Sequence, residues 1–328
     1  MQKICETRRR PAEHHMCFVL CMILSIVAFL PLLETLTVVS LHNDSYSHIL
    51  LIPIMSLSLL YLHRSSIFSV LDYSPVGSTL LLLLGAIAYW VGKSTSSSED
   101  ANYRLSLVVF AMISMWMAAF VLCYGVRCAR AAFFPLLFLL LMLPVPLVTL
   151  DKIVFMLQKG SADVAYVLFR LLNVPVFRRG FTLALPGVEI EVAKECSGIR
   201  SSIALLITGL LAGHLFLRSN WRTILLSTLT VPVAIFKNAV RIVTISWLGV
   251  YVDRSFLHGP LHRYGGVPFA VIAVGILTPV LLMLQTTSAT SRKVKNGKAQ
   301  DSTLLREPTS SGLRRLSVHA ESGSGNTS

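Results

Sequence analysis

Charged residues are scarce in this chain, and acidic residues are the scarcest of them. Only 14% of the 328 residues are Asp, Glu, Lys or Arg, with 16 acidic against 29 basic side chains, whereas 54% are hydrophobic. Uncharged apolar runs of about 20 residues, which is the length that crosses a bilayer, recur along most of the sequence. A water-soluble core is therefore excluded, and the composition predicts a multi-pass membrane protein.

The sequence also lacks a basic stripe for nucleic-acid binding and a cleavage site for a signal peptide. The net charge of +13 lies at the termini and between the apolar runs, without a basic stripe that carries interleaved aromatic residues. Nucleic-acid binding is therefore not expected, and the lipid bilayer is the expected environment. No small-residue cleavage site follows the first apolar run, so we interpret that run as a retained membrane span and not as a signal peptide.

The apolar runs predict an all-α, polytopic integral membrane protein with about eight transmembrane helices. These helices are expected at about 16–38, 48–63, 76–92, 106–124, 131–150, 199–217, 223–250 and 266–285. Three regions follow: a cytoplasmic N-terminus at 1–15, a transmembrane domain at 16–286, and a disordered basic cytoplasmic tail at 287–328.

The longest connection between predicted spans covers 151–198. Residues 151–172 have helical periodicity but carry several charges, which favours an interfacial amphipathic helix over a further span. Residues 173–195 then alternate apolar with polar side chains, most clearly at 188–192. This alternation predicts a short hairpin or extended loop outside the bilayer.

Arginine and lysine positions predict the orientation. Arg8, Arg9 and Arg10 precede the first span, and the tail after the last span contains Arg292 and Lys293. Basic residues are enriched on the cytoplasmic side, and an even number of spans places both termini there. The connections 151–198 and 251–265 are then extracytoplasmic, and the chemistry is expected on that face.

Cys196 is the residue in the long connection that is best suited to chemistry. It is expected to lie just before the sixth span, where a helix N-terminus and nearby cations favour a reactive thiolate. Of the six cysteines it is the only one predicted to face outward, so it has no expected disulfide partner. We interpret it as a free nucleophilic thiol, and the alternative is a small buried residue at a helix start.

Two more ionisable residues are predicted on the same face. Arg241 lies within the seventh span, where a charge is costly and marks a functional site by default. His262 lies just before the eighth span. Asn238 is one helical turn from Arg241 and is predicted to orient its guanidinium group or a substrate carbonyl.

Other candidates have a supporting role. Tyr46 and His48, at the outer end of the second span, are expected either to line the pocket or to anchor the chain at the membrane interface. Glu195 is expected either to orient His262 or to be a solvated carboxylate.

His258 and His262 have the i,i+4 spacing of a helical metal site, but Gly259 and Pro260 interrupt a helix there. We therefore predict no metal site and no cofactor.

Several motifs resemble those of the exosortase/archaeosortase family. ECSGIRSS at 195–202 is similar to the family's nucleophile motif, NAVRI at 238–242 to its arginine motif, and HRYGGVPF at 262–269 to its histidine motif. Upstream, DSYSH at 44–48 resembles its Tyr-Ser-His element, and LPVP at 143–146 with Leu157 and Gln158 resembles its central segment. The resemblance covers about residues 40–285, with the motifs in the family's order.

The resemblance implies a cysteine peptidase or transpeptidase of the bacterial cytoplasmic (inner) membrane. Its expected partners are exported proteins that end in a sorting tail of PEP-CTERM type: a Pro-Glu-Pro-like motif, a transmembrane helix and a basic cluster. The enzyme would cut near the motif and release the protein for the envelope or an exopolysaccharide matrix. Cys196 is then the nucleophile, Arg241 the stabiliser of the thiolate or oxyanion, and His262 the general acid and base.

Two alternatives from other classes remain. One is a multispan transporter, or a protein that handles lipid-linked glycans, in which Arg241 binds an anionic substrate. The other is an inactive membrane scaffold that binds sorting tails. The first alternative predicts that Cys196→Ala is tolerated and that no protein is cleaved. The second predicts co-purification with a substrate whose mass is unchanged with either wild type or Cys196→Ala.

Overall fold

The computed structural model describes residues 11–69, 71–95, 101–192, 198–217, 219–257 and 266–304. Most of these residues are helical. The helices are α1 Pro11–Ala28, α2 Leu30–His42, α3 Leu51–Leu62, α4 Arg64–Ile67, α5 Pro75–Ser94, α6 Ala101–Ala131, α7 Phe133–Phe138, α8 Leu147–Leu171, α9 Ile199–Phe216, α10 Asn220–Tyr251 and α11 Gly266–Leu304. Short 3₁₀ helices cover Asp44–Tyr46, Leu139–Met142 and Arg254–Leu257. The predicted all-α polytopic class is confirmed.

The predicted number of about eight spans is not confirmed. In the described part of the chain, five helices are long and apolar enough to cross a membrane: α5, α6, α9, α10 and the Pro268–Thr286 part of α11. Two bent pairs, α1 with α2 at 72° and the Phe133–Met142 segment with α8 at 94°, raise the number to seven. Helix α3 has only 12 residues, about 18 Å at ~1.5 Å per residue, and is too short to cross ~30 Å of hydrocarbon alone.

Proline explains both bends. Pro31 stands in the first turn of α2, where its missing N–H and its ring prevent α1 from continuing past Phe29. The predicted continuous span at 131–150 is likewise interrupted, because Pro144 and Pro146 cannot donate helical hydrogen bonds. The carbonyl of Pro144 instead accepts a hydrogen bond from the Ser106 hydroxyl. Such side-chain partners allow an irregular backbone within an apolar surrounding.

Helix α8 has one buried face. The predicted interfacial helix at 151–172 corresponds to this helix, which begins four residues earlier, at Leu147. Its buried residues recur every three or four positions: Val154, Leu157, Gln158, Ser161, Ala162, Ala165 and Phe169. This spacing is that of an amphipathic helix. Its placement at the membrane interface stays a prediction.

The predicted extended loop is a small antiparallel sheet. Strands β1 (Phe177–Arg179), β2 (Thr182–Leu185) and β3 (Val188–Glu191) pair in the order β1-β2-β3. Leu183 faces Ile190 across the second pair, and Leu183 is fully buried against α8 and α10 residues. An ion pair between Arg178 of β1 and Asp163 of α8 joins the sheet to the helix. The sheet is therefore fixed above the α8 and α10 contact.

Helices α9 and α10 pack closely through glycine. Gly209 and Gly213 form a GxxxG motif on α9 that faces Thr230 and Thr223 of α10. A Cβ at Gly213 would lie 2.7 Å from Cγ2 and 3.1 Å from Cα of Thr223. Small residues allow membrane helices to approach one another in this way. The close contact fixes the C-terminal half of α9 relative to α10.

Gly213→Ala is expected to destabilise the protein. The added methyl group meets a backbone atom, so the helices must move apart, and such overpacking costs about 1–3 kcal/mol. Gly275→Ala in α11 is the matched control, because no described atom lies within 4 Å of its added Cβ. Thermal unfolding in detergent should show a lower Tm for Gly213→Ala alone. Equal Tm values for the two variants would contradict the close packing.

The backbone of α11 is helical to Leu304, past the predicted boundary at 287. Residues 305–328 lie outside the described residues, as does the predicted cytoplasmic segment up to residue 10. The division of the chain into three regions and the cytoplasmic position of both ends stay predictions.

Candidate functional site

The residues that flank Cys196 are held by side chains of α8 and α10. Cys196 and Glu195 themselves fall in 193–197, outside the described residues. On the N-terminal side, the Gln158 side chain of α8 donates a hydrogen bond to the carbonyl of Val192. The Val192 N–H donates to the carbonyl of Phe181, at 3.0 Å. Gln158 is 6% exposed, so this contact is buried.

The C-terminal side is fixed at Gly198, two residues after Cys196. Gly198 has φ +73°, which L side chains rarely adopt, and a Cβ there would lie 3.1 Å from Oδ1 of Asn238. The hydroxyl groups of Ser201 and Ser202 donate to the Gly198 carbonyl, at 2.9 and 2.8 Å. The backbone therefore turns sharply into α9 against α10.

Asn238 of α10 connects α10 to α8 next to this turn. It is 1% exposed, and its Nδ2 donates a hydrogen bond to Oγ of Ser161 on α8, at 3.0 Å. Ser161 lies about one turn from Gln158 on the same helix. One face of α8 thus reaches both flanks of the Cys196 segment, by direct contact with Val192 and through Asn238 near Gly198.

A buried lysine belongs to the same polar cluster. Lys237 of α10 is 3% exposed and donates a hydrogen bond to the Ser201 hydroxyl. Arg241 lies one turn further along α10 and is half-buried. At ~1.5 Å per residue, Arg241 is about 32 Å from the first residue of α10 and about 15 Å from Tyr251, the last. Two basic side chains on adjacent turns therefore lie on the helix that contacts the Gly198 turn.

His262 falls within 258–265, outside the described residues. The described chain before it forms the 3₁₀ helix Arg254–Leu257, which follows α10. Nη2 of Arg254 donates to the carbonyl of Gly187, at the β2–β3 turn, at 3.3 Å. The segment leading to His262 therefore contacts the sheet whose last strand leads to Cys196.

Tyr46 has a packing role. It is 3% exposed, and its hydroxyl donates to the carbonyl of Val145 at 3.1 Å. The Tyr46 hydroxyl oxygen in turn accepts a hydrogen bond from Nδ2 of Asn102, at 3.0 Å. Burial raises the pKa of the Tyr46 phenol, so it stays neutral and can donate. His48 is half-buried and hydrogen-bonded to the backbone of Leu141 and Ser45. Both residues hold the proline-interrupted segment in place.

Sequence reasoning missed Lys237 and the serines that surround it. The cost of a charge inside a membrane span singled out Arg241, and the same reasoning applies to Lys237 on the same helix. Ser161 and Ser201 gave no such signal, because hydroxyl groups are common in membrane helices and act here through partners 77 and 36 residues away.

A comparison with protein families identifies the chain. The sequence model of the transmembrane exosortases (Exosortase_EpsH) matches residues 36–278, well over half of the 328 residues. The chain belongs to the transmembrane exosortase family. No curated protein and no solved structure matches it. As an exosortase it is a multi-pass membrane sorting transpeptidase whose substrates are exported proteins. The matched region contains all the elements that hold the Cys196 segment.

Proposed function

We propose that this exosortase cleaves sorting tails of PEP-CTERM type at the outer face of the bacterial cytoplasmic membrane. The substrate would carry a Pro-Glu-Pro-like motif, a transmembrane helix and a basic cluster at its C-terminus. The substrate helix diffuses in the same bilayer as the enzyme. An active site near the membrane boundary can therefore reach the substrate peptide that lies just outside that helix. Cleavage would release the exported protein to the envelope or an exopolysaccharide matrix.

One observation carries the proposal: buried side chains hold the chain on both sides of Cys196. Gln158 fixes Val192, and Asn238 packs against the turn at Gly198. A nucleophile must be held close to its productive position, because small misplacements cost large factors in rate. A buried polar side chain costs free energy unless it is hydrogen-bonded, so the Gln158 side chain is expected to keep its bond to the Val192 carbonyl.

The proposed mechanism assigns one task to each residue. The Cys196 thiolate attacks the scissile carbonyl, the C–N bond breaks, and a thioester forms while His262 gives its proton to the departing amine. The acceptor, which is water or an amine, then attacks the thioester carbonyl as His262 takes its proton. The C–S bond breaks and the Cys196 thiolate leaves. Arg241 stabilises the thiolate and the developing oxyanion. Glu195 orients His262, and no cofactor takes part.

The supporting residues act through the backbone. Asn238 positions Gly198, and Lys237 holds the first turn of α9 through Ser201. Tyr46 and His48 fix the segment around Val145 and Leu141. The 3₁₀ helix that contains Tyr46 also packs on α9. These contacts connect the early Tyr-Ser-His element and the central proline segment to the helix that follows Cys196.

A transporter, or a protein that handles lipid-linked glycans, is the second candidate. Arg241 and the buried Lys237 stand on adjacent turns of α10, which is the arrangement expected around an anionic substrate within a membrane. In that case Cys196 has no chemical task. The two candidates therefore differ in their response to substitution of the thiol.

Co-expression with a tail-bearing protein tests the proposed function. The exported protein should be recovered at a lower intact mass, cut near the Pro-Glu-Pro-like motif, when the wild-type enzyme is present. A matched substrate with the motif replaced by alanines but the transmembrane helix and basic cluster retained should keep its full mass. Full-length recovery of the intact-motif substrate, or equal cleavage of both substrates, would contradict the proposal.

Gly198→Ala is expected to reduce cleavage by about tenfold or more, because small displacements of a reacting group cost large factors in rate. Its Cβ would press on Asn238 and move the turn that follows Cys196. Gly180→Ala is the matched control: its φ of +63° imposes a similar backbone strain, but no described atom lies within 4 Å of the new Cβ. Rates should be compared at equal amounts of folded enzyme. Equal rates for the two variants would show that the turn does not position the nucleophile.

A further inference from the structure

Three cysteine thiols from two helices meet far from the Cys196 segment in the sequence. Cys17 and Cys21 of α1 are four residues apart and share a helix face, and Cys123 comes from α6. Their Sγ atoms all lie within 4.8 Å of one another. Among the described residues, these three cysteines form the group of His, Cys, Asp or Glu side chains whose possible metal-ligand atoms lie close enough together to bind one ion.

Specific contacts hold the two helices together at this point. Nδ1 of His14 lies 2.6 Å from the carbonyl oxygen of Cys123, and Nδ1 of His15 lies 2.9 Å from the hydroxyl of Tyr124. Phe18 packs against the ring of Tyr124, with 5.2 Å between centroids. The thiols therefore meet because neighbouring residues on both sides of Cys17 bind the same turn of α6.

The cluster is accessible from one side. Cys123 is 2% exposed, Cys21 is half-buried and Cys17 is exposed. Cys17 also lies at the start of the first predicted span, so in the predicted orientation an ion would reach the thiols from the cytoplasmic boundary, while Cys123 closes the far side. In the predicted orientation this end of α1 faces the cytoplasm, where thiols stay reduced. Reduced thiols are available to bind a metal.

We propose that Cys17, Cys21 and Cys123 bind one thiophilic d¹⁰ metal ion, Cu⁺ or Zn²⁺. Thiolates are the soft ligands that both ions prefer. With Zn–S bonds of about 2.3 Å, three sulfurs around one ion lie about 4 Å apart, so the cluster needs only a small contraction. Cu⁺ fits a three-sulfur site directly, and Zn²⁺ adds a water as its fourth ligand. From the sequence we predicted no metal site, because Gly259 and Pro260 interrupt the His258 and His262 pair. The three thiols were not considered together, and Cys123 is more than 100 residues from the other two.

Binding is an acid-base event without electron transfer. Each thiol that becomes a ligand breaks its S–H bond, forms a metal–sulfur bond and releases its proton to solvent. The bound ion crosslinks α1 to α6 and adds stability to their contact. This site does not touch the proposed cleavage chemistry, so either proposal stands if the other fails.

Metal content of the purified full chain tests the site. Protein in detergent with a reductant that does not chelate metals is exposed to Zn²⁺, to Cu⁺, or to Co²⁺ as a spectroscopic probe, then desalted. The expected result is one ion per chain by elemental analysis and a sulfur-to-cobalt charge-transfer band. Cys17→Ser should weaken Zn²⁺ binding at least tenfold without disturbing the core, because Cys17 is exposed. Cys21→Ser serves as the second variant.

Cys128→Ser is the matched control, because Cys128 is a buried cysteine of α6 outside the cluster and its replacement should leave metal binding unchanged. Three results would overturn the site. One is a wild-type protein that retains no metal, and another is equal affinity in Cys17→Ser and wild type. The third is a disulfide between two of the three thiols in protein purified with thiols blocked, detected by its mass.

Discussion

Cys196→Ala is expected to leave a tail-bearing substrate at its full, unprocessed mass. Without the thiol no thioester can form, and removal of a catalytic nucleophile typically costs about 10⁴-fold or more in rate. The substitution removes one atom from a segment whose flanks are held by Gln158 and Asn238, so the fold should persist. Intact mass of the exported protein, co-expressed with either enzyme, measures the effect.

The matched control for this prediction is Cys128→Ala, a buried cysteine of α6 whose replacement should leave cleavage at the wild-type rate. Membrane levels of both variants are compared by immunoblot. Normal processing by Cys196→Ala would eliminate the cysteine mechanism, whereas an uncleaved substrate with both the wild-type enzyme and Cys196→Ala would favour the transporter. A substrate that co-purifies with both enzymes at unchanged mass would favour the inactive scaffold.

Arg241→Ala is expected to lower the cleavage rate by about 10²–10³-fold, the usual loss when a group that stabilises an oxyanion is removed. Arg241 stands three residues beyond Asn238 on α10, and Asn238 packs against the turn after Cys196. Arg241→Lys keeps the charge but not the planar fork of donors, so it should recover only part of the rate. Single-turnover cleavage of purified substrate in detergent separates this chemical effect from binding.

Arg222→Ala controls for the loss of an arginine from the same helix. Arg222 lies in the first turn of α10, and its Nη1 donates to the carbonyl of Leu284 at 3.0 Å, so its loss also removes a hydrogen bond. We expect a lower Tm with a cleavage rate close to wild type. Loss of cleavage in Arg222→Ala at equal folded protein would mean that the Arg241 effect is structural.

Periodicity predicted the main features of the fold. The apolar runs located the long helices, and the alternation at 188–192 located β3. The bends were not predicted, because a hydropathy window averages over Pro31, Pro144 and Pro146. Whether such prolines end a helix depends on partners for the freed carbonyls. Ser106 and Tyr46, which supply them, are about 40 and 100 residues away.

The site was predictable only in part. A charge within a span identified Arg241, and helical spacing placed Asn238 beside it. The contacts that hold the Cys196 segment join residues 34–77 positions apart, such as Gln158 with Val192 and Ser161 with Asn238. A single sequence does not indicate the distant hydrogen-bond partners of amide and hydroxyl side chains. Lys237 could have been identified as Arg241 was, because it is also a basic residue within a predicted span. The structure adds its hydrogen bond to Ser201.

Capture of the acyl group by hydroxylamine tests the central claim, a thioester on Cys196, most directly. Purified enzyme and tail-bearing substrate are incubated with hydroxylamine, which attacks thioesters rapidly, and the intact mass of the released protein is determined. We expect release as a C-terminal hydroxamate with the wild-type enzyme and no release with Cys196→Ala. Release solely as a free carboxylic acid at saturating hydroxylamine, or hydroxamate formation by Cys196→Ala, would contradict a thioester on Cys196.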